Sequence, residues 1–271
     1  MEASSADLRV FCDAALEAAT RAGDAIVALS RDRSFEVRSK AGAEIVTSAD
    51  LLSDQIIREH LTSRFPQHRF LSEEAVEDRT TDFAGPVWIV DPIDGTANYA
   101  HSHPFVAISI ALAIDGEPCV GVVHAPFLGE TYTATRGGGA WCNGRTISVS
   151  DVSDLRRALI GTGFPHIRDD LDGAMTRVRR LLTECQDIRR SGSPALDICW
   201  VAAGKLDAHT ESLAPWDIAA AALIATEAGA RRGNLVPGDK MLPPALRGEE
   251  FLVATPGIFD ALRSCLLSSA L

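Results

Sequence analysis

The chain of 271 residues lacks several features that mark common classes of protein. Its six cysteines form no Cys-x-x-Cys pair, which argues against a zinc knuckle or a disulfide scaffold and favours reduced, mostly buried thiols. The 26 Lys and Arg residues are outnumbered by 37 Asp and Glu, and a net charge of −11 without a basic cluster argues against nucleic-acid binding. The N-terminus has no signal-peptide pattern, and the longest apolar run, Ile218 to Ala225, is too short to span a bilayer. We therefore expect a cytoplasmic protein without nucleic-acid or membrane partners.

The hydrophobic content of 46% is sufficient for a large core, and the periodicity of these residues changes along the chain. Apolar residues between positions 8 and 27 recur at helical spacing and predict a long opening helix capped near Ser4 or Ser5. A second helix is predicted to start at Ser48 or Asp50 and to stop at a Phe-Pro pair.

Short apolar runs separated by Gly, Pro and Asn turns come next, and they predict a largely antiparallel sheet. These runs are Val87–Val90, Val106–Ile114, Val120–Val123, Thr131–Thr135 and Thr146–Val149. In the remainder of the chain strands and helices alternate, which is typical of an α/β fold. The strands predicted there are 158–160, 206–209 and 251–254, and the helices are 169–184, 194–203 and 215–229. We predict a single unit over 1–271, with an α+β half at 1–150 and an α/β half at 151–271.

The segment Asp91-Pro-Ile-Asp94-Gly-Thr96 places two carboxylates at the end of an apolar strand. Burying an unpaired carboxylate costs several kcal/mol, so such acids need cations, hydrogen bonds or solvent. Positions three apart face opposite sides of a straight strand, but a turn forced by Pro92 and permitted by Gly95 would bring the two carboxylates together. A short helix that starts at this glycine would present backbone N–H groups to a phosphate.

Two further acids also lie at the ends of predicted elements. Glu73 follows the apolar pair Phe70-Leu71, and Asp217 falls in the first turn of a helix that begins near Pro215. Carboxylates without neighbouring Lys or Arg runs, and without a Cys/His set, favour Mg²⁺ or Mn²⁺. The alternative interpretation is that they are helix caps and turn residues.

A pair of such ions next to a phosphate site would describe a phosphomonoesterase that activates water. The spacing of the two aspartates also bears on the mechanism. An enzyme that forms a phosphoaspartate would carry Asp-x-Asp-x-Thr, with carboxylates two positions apart, whereas Asp91 and Asp94 are three apart. A water nucleophile is therefore favoured over an aspartate nucleophile.

Three segments together resemble the inositol monophosphatase family. They are Leu71-Ser-Glu-Glu74, Trp88-Ile-Val-Asp-Pro-Ile-Asp-Gly-Thr-Ala-Asn98 and Trp216-Asp-Ile-Ala-Ala-Ala-Ala-Leu-Ile-Ala-Thr-Glu-Ala-Gly229. The resemblance extends over nearly the whole chain and implies a layered αβαβα sandwich, assembled as a homodimer and inhibited by lithium. It also implies two or three bound Mg²⁺ ions, for which Mn²⁺ can substitute.

The resemblance further implies a role for each matching residue. By this resemblance, one ion is bound by Glu73, Asp91 and the carbonyl of Ile93. The second ion is bound by Asp91, Asp94 and Asp217, and Glu73 is also a ligand of a third ion. Thr96, aligned by Asp50, would orient the attacking water together with Glu73, while the N–H groups of Gly95 and Thr96 hold phosphate. The residues implied to contact the substrate hydroxyls are Asp94, Gly192, Ser193 and Glu211.

The sequence departs from the family pattern at positions that bear on the substrate. Pro194 replaces the usual Ala and removes a backbone donor, and His209-Thr210 replaces an aromatic pair before Glu211. Inositol 1-phosphate is the first predicted substrate, and histidinol phosphate, whose ammonium could pair with Glu211, or a sugar phosphate is the alternative. A regulatory or interaction protein of the same fold is the alternative from another functional class.

Overall fold

The computed structural model describes residues 4–40, 42–75, 82–169 and 171–268. In chain order its elements are α1 (Ser5–Asp32), β1 (Val37–Ser39), β2 (Ile45–Thr47), α2 (Ser48–Arg64), β3 (Arg69–Ser72), β4 (Pro86–Asp94), α3 (Thr96–Ala100), β5 (Ala107–Ile114), β6 (Glu117–Ala125), β7 (Glu130–Thr135), β8 (Ala140–Cys142), β9 (Arg145–Thr146), β10 (Leu159–Thr162), α4 (Asp172–Glu184), β11 (Asp187–Arg189), α5 (Pro194–Ala202), β12 (Ala208–Glu211), α6 (Pro215–Glu227), β13 (Arg231–Asn234), β14 (Phe251–Ala254) and α7 (Pro256–Leu267). The opening helix has Ser4 as its N-cap, which confirms one of the two predicted caps.

Two large sheets organise the described residues. The first has seven strands in the order β3-β4-β5-β6-β7-β8-β9, with β3 and β4 parallel and the other neighbours antiparallel. The second has five strands in the order β11-β10-β12-β14-β13, and β10 is parallel to both β11 and β12. The prediction of a largely antiparallel first half and an α/β second half is therefore confirmed.

Helices cover both faces of each sheet, which produces five layers. One face of the seven-stranded sheet buries Trp88 and Ile110 against α1 and α2. Its other face packs on α5 and α6, and the same core includes Phe251 and Val253 from the second sheet. The far face of the second sheet buries Leu252 against α4 and α7. This order confirms the predicted αβαβα sandwich.

Some predicted boundaries were wrong for tertiary reasons. The strand predicted at Thr146–Val149 lies at Arg145–Thr146. The N–H of Ile147 still donates to Ala140 in β8, but the N–H of Val149 donates to Ala228 at the end of α6. The strand predicted at 206–209 lies at Ala208–Glu211, because the N–H of Leu206 still donates to Trp200 in α5. The helix predicted over 169–184 begins at Asp172, and residue 170 lies outside the described residues.

Other features agree only in part with the predictions. All six cysteines are free thiols, but only Cys119 and Cys199 are buried, so the prediction of mostly buried thiols was wrong. None of the helices in the described parts of the chain is long and apolar enough to cross a membrane. The ribbon formed by β1 and β2 was not predicted, because strands of three residues are too short to show an apolar alternation.

Candidate functional site

Strand β4 brings Asp91 and Asp94 to the same side of the sheet. Asp91 is opposite Ser109 on β5 and Asp94 is opposite Ala107, so three steps along β4 match only two along β5. This extra residue is a β-bulge, which reverses the alternation and directs both carboxylates toward one point. The predicted convergence is present, but it arises from a bulge within the strand rather than from a turn. Both aspartates are buried.

Asp217 completes a group of three carboxylates. Oxygen atoms of Asp91, Asp94 and Asp217 all lie within 4.8 Å of one another. Asp217 is the third residue of α6, and its Oδ2 accepts a hydrogen bond of 2.7 Å from the N–H of Ala214, which closes the first turn of the helix. Pro215 suits this turn because its missing N–H is not needed there. The sequence prediction that these three acids meet therefore agrees with the geometry.

The electrostatics of this group fit a divalent cation. Burial raises the pKa of Asp91 well above its usual value, and Glu73, Asp94 and Asp217 raise it further. The pKa of Asp217 rises to about 8, through burial and then through repulsion from Asp94. Acids that raise one another's pKa in this way gain most from a shared positive ion with a preference for oxygen ligands. The donor set therefore fits Mg²⁺ or Mn²⁺ better than a softer metal.

Asp94 also accepts two hydrogen bonds from the start of α5. Its Oδ2 accepts hydrogen bonds from Ser193 Oγ at 2.5 Å and from the N–H of Ala195 at 2.8 Å. Burial raises the pKa of Asp94 to about 7, although these two hydrogen bonds act in the opposite direction. Pro194 occupies the first position of α5, so the backbone donor comes from Ala195 instead.

Glu73 lies beside the three aspartates and is held by a lysine. It follows β3, and its N–H donates to the carbonyl of Val90 at 3.2 Å. Its Oε1 lies 3.0 Å from Nζ of Lys40, which also contacts Glu74 at 2.6 Å. Burial raises the pKa of Glu73 to about 7 despite this lysine, and Glu74 and Asp217 contribute to the increase. Sequence reasoning missed Lys40, because a single lysine in a short exposed ribbon carries no distinguishing pattern.

The hydroxyl of Thr96, which lines the cavity, is hydrogen-bonded to the buried Asp50. The Thr96 hydroxyl is 2.9 Å from Asp50 Oδ1 and 3.1 Å from the carbonyl of Ile93. The other oxygen of Asp50 accepts the N–H and hydroxyl of Thr47 at 2.8 and 2.6 Å. Thr47 is thus the N-cap of α2, one residue before the predicted start, and Asp50 serves both the cap and Thr96.

Gly95 is the N-cap of α3 and has a φ of +97°, a conformation that favours glycine. A Cβ at this position would lie 3.0 Å from the carbonyl oxygens of both Gly192 and Phe105. We expect Gly95→Ala to lower the free energy of unfolding by about 1–3 kcal/mol. Urea denaturation measures the change. Gly129→Ala is the matched control, because its φ of +65° is similar while nothing lies within 4 Å of its Cβ position.

A cavity of about 340 Å³ connects these groups to the second half of the chain. All the predicted site residues except Asp50 line it, including Gly192, Ser193 and Glu211. The Asn98 side chain joins the halves here, since its Nδ2 donates to the carbonyls of Phe105 at 2.7 Å and Ser191 at 2.8 Å. The cavity also includes lining residues that the sequence did not predict: Thr162, Gly163, Phe164, Pro165, His166 and Arg190. Thr162 ends β10, the next four follow that strand, and Arg190 lies in the loop before α5.

Residues 7–263 match the sequence profile of the inositol monophosphatase family. Inositol monophosphatase 2 of Solanum lycopersicum is 41% identical over 226 residues, which cover 81% of this chain and 85% of the relative. Inositol-1-monophosphatase of Rhizobium meliloti is 40% identical, with 81% and 89% covered. Nus factor SuhB of Salmonella typhimurium is 36% identical, with 86% and 92% covered.

Solved structures agree with these relatives. The extragenic suppressor protein suhB from Bartonella henselae has a TM-score of 0.87 at 32% identity and covers 96% of this chain and 100% of its own. A staphylococcal inositol monophosphatase-1, in a lithium chloride-soaked inhibitory complex, has a TM-score of 0.84 at 25% identity and covers 100% and 98%. The chain belongs to the inositol monophosphatase family, whose members are phosphoric monoester hydrolases.

Proposed function

We propose that this chain hydrolyses a small polyol monophosphate in the presence of Mg²⁺, with inositol 1-phosphate as the first candidate. The observation that carries the proposal is the meeting of Asp91, Asp94 and Asp217 within 4.8 Å, beside the start of α3 and inside one cavity with Glu211. Phosphate and polyol would then occupy opposite ends of that cavity. The products are the free alcohol and inorganic phosphate.

The metal ligands we propose are those implied by the family resemblance. Glu73, Asp91 and the carbonyl of Ile93 would hold one ion, and Asp91, Asp94 and Asp217 would hold another, with Glu73 available to a third. When bound, such ions neutralise phosphoryl oxygens, lower the pKa of water and stabilise the leaving oxygen. The bulge in β4 serves this arrangement because it directs two strand carboxylates to one side.

Thr96, Asp50 and Glu73 would orient the attacking water. A hydroxyl that donates its proton to Asp50, at 2.9 Å, leaves its oxygen lone pairs free to accept a proton of the water. The Glu73 carboxylate would accept the second hydrogen bond of the water. The backbone N–H groups of Gly95 and Thr96 would bind the phosphate, so that the new oxygen–phosphorus bond forms in line with the ester bond that breaks.

The substrate hydroxyls would bind at the α5 side of the cavity. Ser193 donates to Asp94 and follows Gly192, while Glu211, at the end of β12, lines the same cavity. A carboxylate accepts hydroxyl protons well, and a polyol offers several of them. Glu211 could equally pair with the ammonium of histidinol phosphate, and this is why that substrate, or a sugar phosphate, remains the alternative.

Phosphate release tests the proposal directly. With Mg²⁺ present we expect faster turnover of myo-inositol 1-phosphate than of histidinol phosphate, because the cavity combines the acid cluster with a hydroxyl-binding wall. Parallel steady-state assays on both substrates, with a sugar phosphate as a third, measure the order. Faster hydrolysis of histidinol phosphate would show that inositol 1-phosphate is not the preferred substrate, while the proposed class of reaction would stay the same.

A regulatory role is the second candidate, since one relative is a Nus factor, SuhB. Asp94→Asn separates the two functions, because it should remove hydrolysis and keep the fold. A cellular phenotype of gene deletion that this variant fully complements would support the regulatory role. A phenotype that only the hydrolytic protein complements would support the enzyme.

The proposal extends to a cytoplasmic homodimer that lithium inhibits. A lithium-soaked inhibitory complex exists for the staphylococcal relative, and the acid cluster of this chain offers carboxylate oxygens to a small cation. Residues 1–150 and 151–271 would act as one phosphatase unit, since both line the cavity. Sedimentation and a lithium titration of phosphate release test these points.

A further inference from the structure

A buried histidine lies between two carboxylates, and both of them line the cavity. His209 is 0% exposed and Asp197 is 1% exposed. Nδ1 of His209 is 3.4 Å from Asp197 Oδ2, and its Nε2 is 3.6 Å from Glu211 Oε2. Asp197 comes from α5 and Glu211 from the same strand as the histidine. Each ring nitrogen therefore faces a carboxylate at ion-pair distance.

Glycines in and just after β10 leave room for the trio formed by His209, Asp197 and Glu211. His209 and Glu211 lie on one face of β12, because they are two residues apart. Gly161 of β10 is directly opposite His209, and a Cβ there would lie 2.8 Å from Nδ1 and 3.1 Å from Asp197 Oδ2. A Cβ at Gly163 would overlap the Glu211 carboxylate. Two glycines on one face thus accommodate the ring and both acids.

The charge state follows from the surroundings of the ring. Both ring nitrogens of His209 are buried and make no hydrogen bond, although a carboxylate faces each of them at ion-pair distance. A neutral imidazole would turn a lone pair toward one of the carboxylates, whereas an imidazolium presents an N–H to each. Burial alone would lower the pKa of His209, but Asp197 and Glu211 outweigh it and raise the pKa to about 9.

The residues opposite His209 on the adjacent strands supply no other cation. The strands beside β12 place Gly161 and Val253 opposite the histidine, and neither carries a charge. Arg177 donates to the carbonyl of Gly163 at 3.0 Å and pairs with Glu250 at 3.4 Å, so its guanidinium is already engaged. Asp94 and Asp217 act on the trio only as further negative charges.

We propose that His209 is a positioning residue: as an imidazolium held by Asp197, it fixes the Glu211 carboxylate in the cavity and balances its charge. A balanced carboxylate still accepts hydrogen bonds from hydroxyls but attracts a cation less strongly. The site would therefore prefer an uncharged polyol phosphate over a phosphate that carries an ammonium group. This inference rests on the proposed function and adds to it a residue that makes the site discriminate between uncharged polyol phosphates and phosphates that carry an ammonium group.

The test compares three substrates in the variant Asp197→Asn/His209→Gln, which removes the cation and leaves no unpaired Asp197 charge behind. The substrates are myo-inositol 1-phosphate, histidinol phosphate and methyl phosphate, which has no polyol to reach Glu211. We expect kcat/KM for histidinol phosphate relative to inositol phosphate to rise roughly tenfold, mainly through KM. The values for methyl phosphate should stay within about twofold. An unchanged ratio, or an equal loss on all three substrates, would overturn the inference.

Wild-type protein provides a second readout that needs no turnover. The NMR shift of the His209 Cε1 proton should show an imidazolium at neutral pH and titrate only near the pKa of about 9. A neutral ring at neutral pH would refute the inference even if the enzyme hydrolyses inositol phosphate. Conversely, a charged ring in a protein that hydrolyses none of the three esters would contradict the proposed function and leave the charge assignment standing.

Discussion

Replacing Asp94 with asparagine should lower kcat for phosphate ester hydrolysis by about three orders of magnitude. The variant removes a full negative charge from the cluster, and stabilisation of transition-state charge by a bound metal is worth several kcal/mol. The fold should survive, because the asparagine oxygen can still accept the hydrogen bonds from Ser193 Oγ and the Ala195 N–H. Steady-state phosphate release with saturating Mg²⁺ measures the loss, and circular dichroism with thermal unfolding verifies the fold.

Asp207→Asn is the matched control for this variant. Asp207 is also a buried aspartate with two hydrogen bonds, from Ser150 Oγ at 2.6 Å and from the N–H of Leu159 at 2.7 Å, but it does not line the cavity. We expect it to lower the Tm while kcat stays close to the wild-type value. If Asp94→Asn kept more than about a tenth of the activity, the cluster would not be the catalytic centre.

Removing divalent cations with EDTA should abolish activity and leave a protein that loses stability as the pH rises. Burial and repulsion raise the pKa of Asp94 to about 7 and that of Asp217 to about 8, so the folded chain holds protons that the unfolded chain has released. This contribution to stability is fully present below the unfolded pKa of about 4 and is lost as the pH passes through about 7 to 8. Adding Mg²⁺ at alkaline pH should restore both stability and activity, because the ion replaces the lost protons.

Thermal unfolding over a pH series, with EDTA and with Mg²⁺, tests this prediction. Asp94→Asn is an internal comparison, since it removes one of the repelling charges and should flatten the profile of the EDTA-treated protein. A Tm that rises with pH in EDTA, together with no response to Mg²⁺ in the alkaline range, would show that the acids do not form a cation site.

Patterns within short stretches of the sequence predict much of the fold and part of the candidate site. Helical periodicity located α1, and strand-like runs located the central strands of the first sheet, because these elements bury one face or both. The segment from Asp91 to Thr96 predicted the acid cluster, because carboxylates at the end of a buried strand need a compensating partner. Pro215 likewise marked the start of the helix that carries Asp217.

Other features depended on contacts between distant segments. The strand prediction failed at Val149 because the N–H of this residue binds Ala228 rather than a sheet neighbour. The bulge in β4 could not be distinguished from a turn, because it is defined by the register against β5. The pairing of Lys40 with Glu73 brings together residues 33 positions apart.

By itself, the order of residues predicted which side chains form the site: local patterns predicted the acids at the ends of elements and the glycine before Thr96, and the family resemblance added Glu211. The predictions from local patterns rest on the costs of burial, backbone conformation and helix initiation, which a few neighbouring residues settle. Only the tertiary structure decided how the acids divide their oxygens between the cluster, the helix starts and Lys40, and that His209 lies between Asp197 and Glu211. Such arrangements depend on electrostatic and packing energies between segments that only the assembled layers bring into contact.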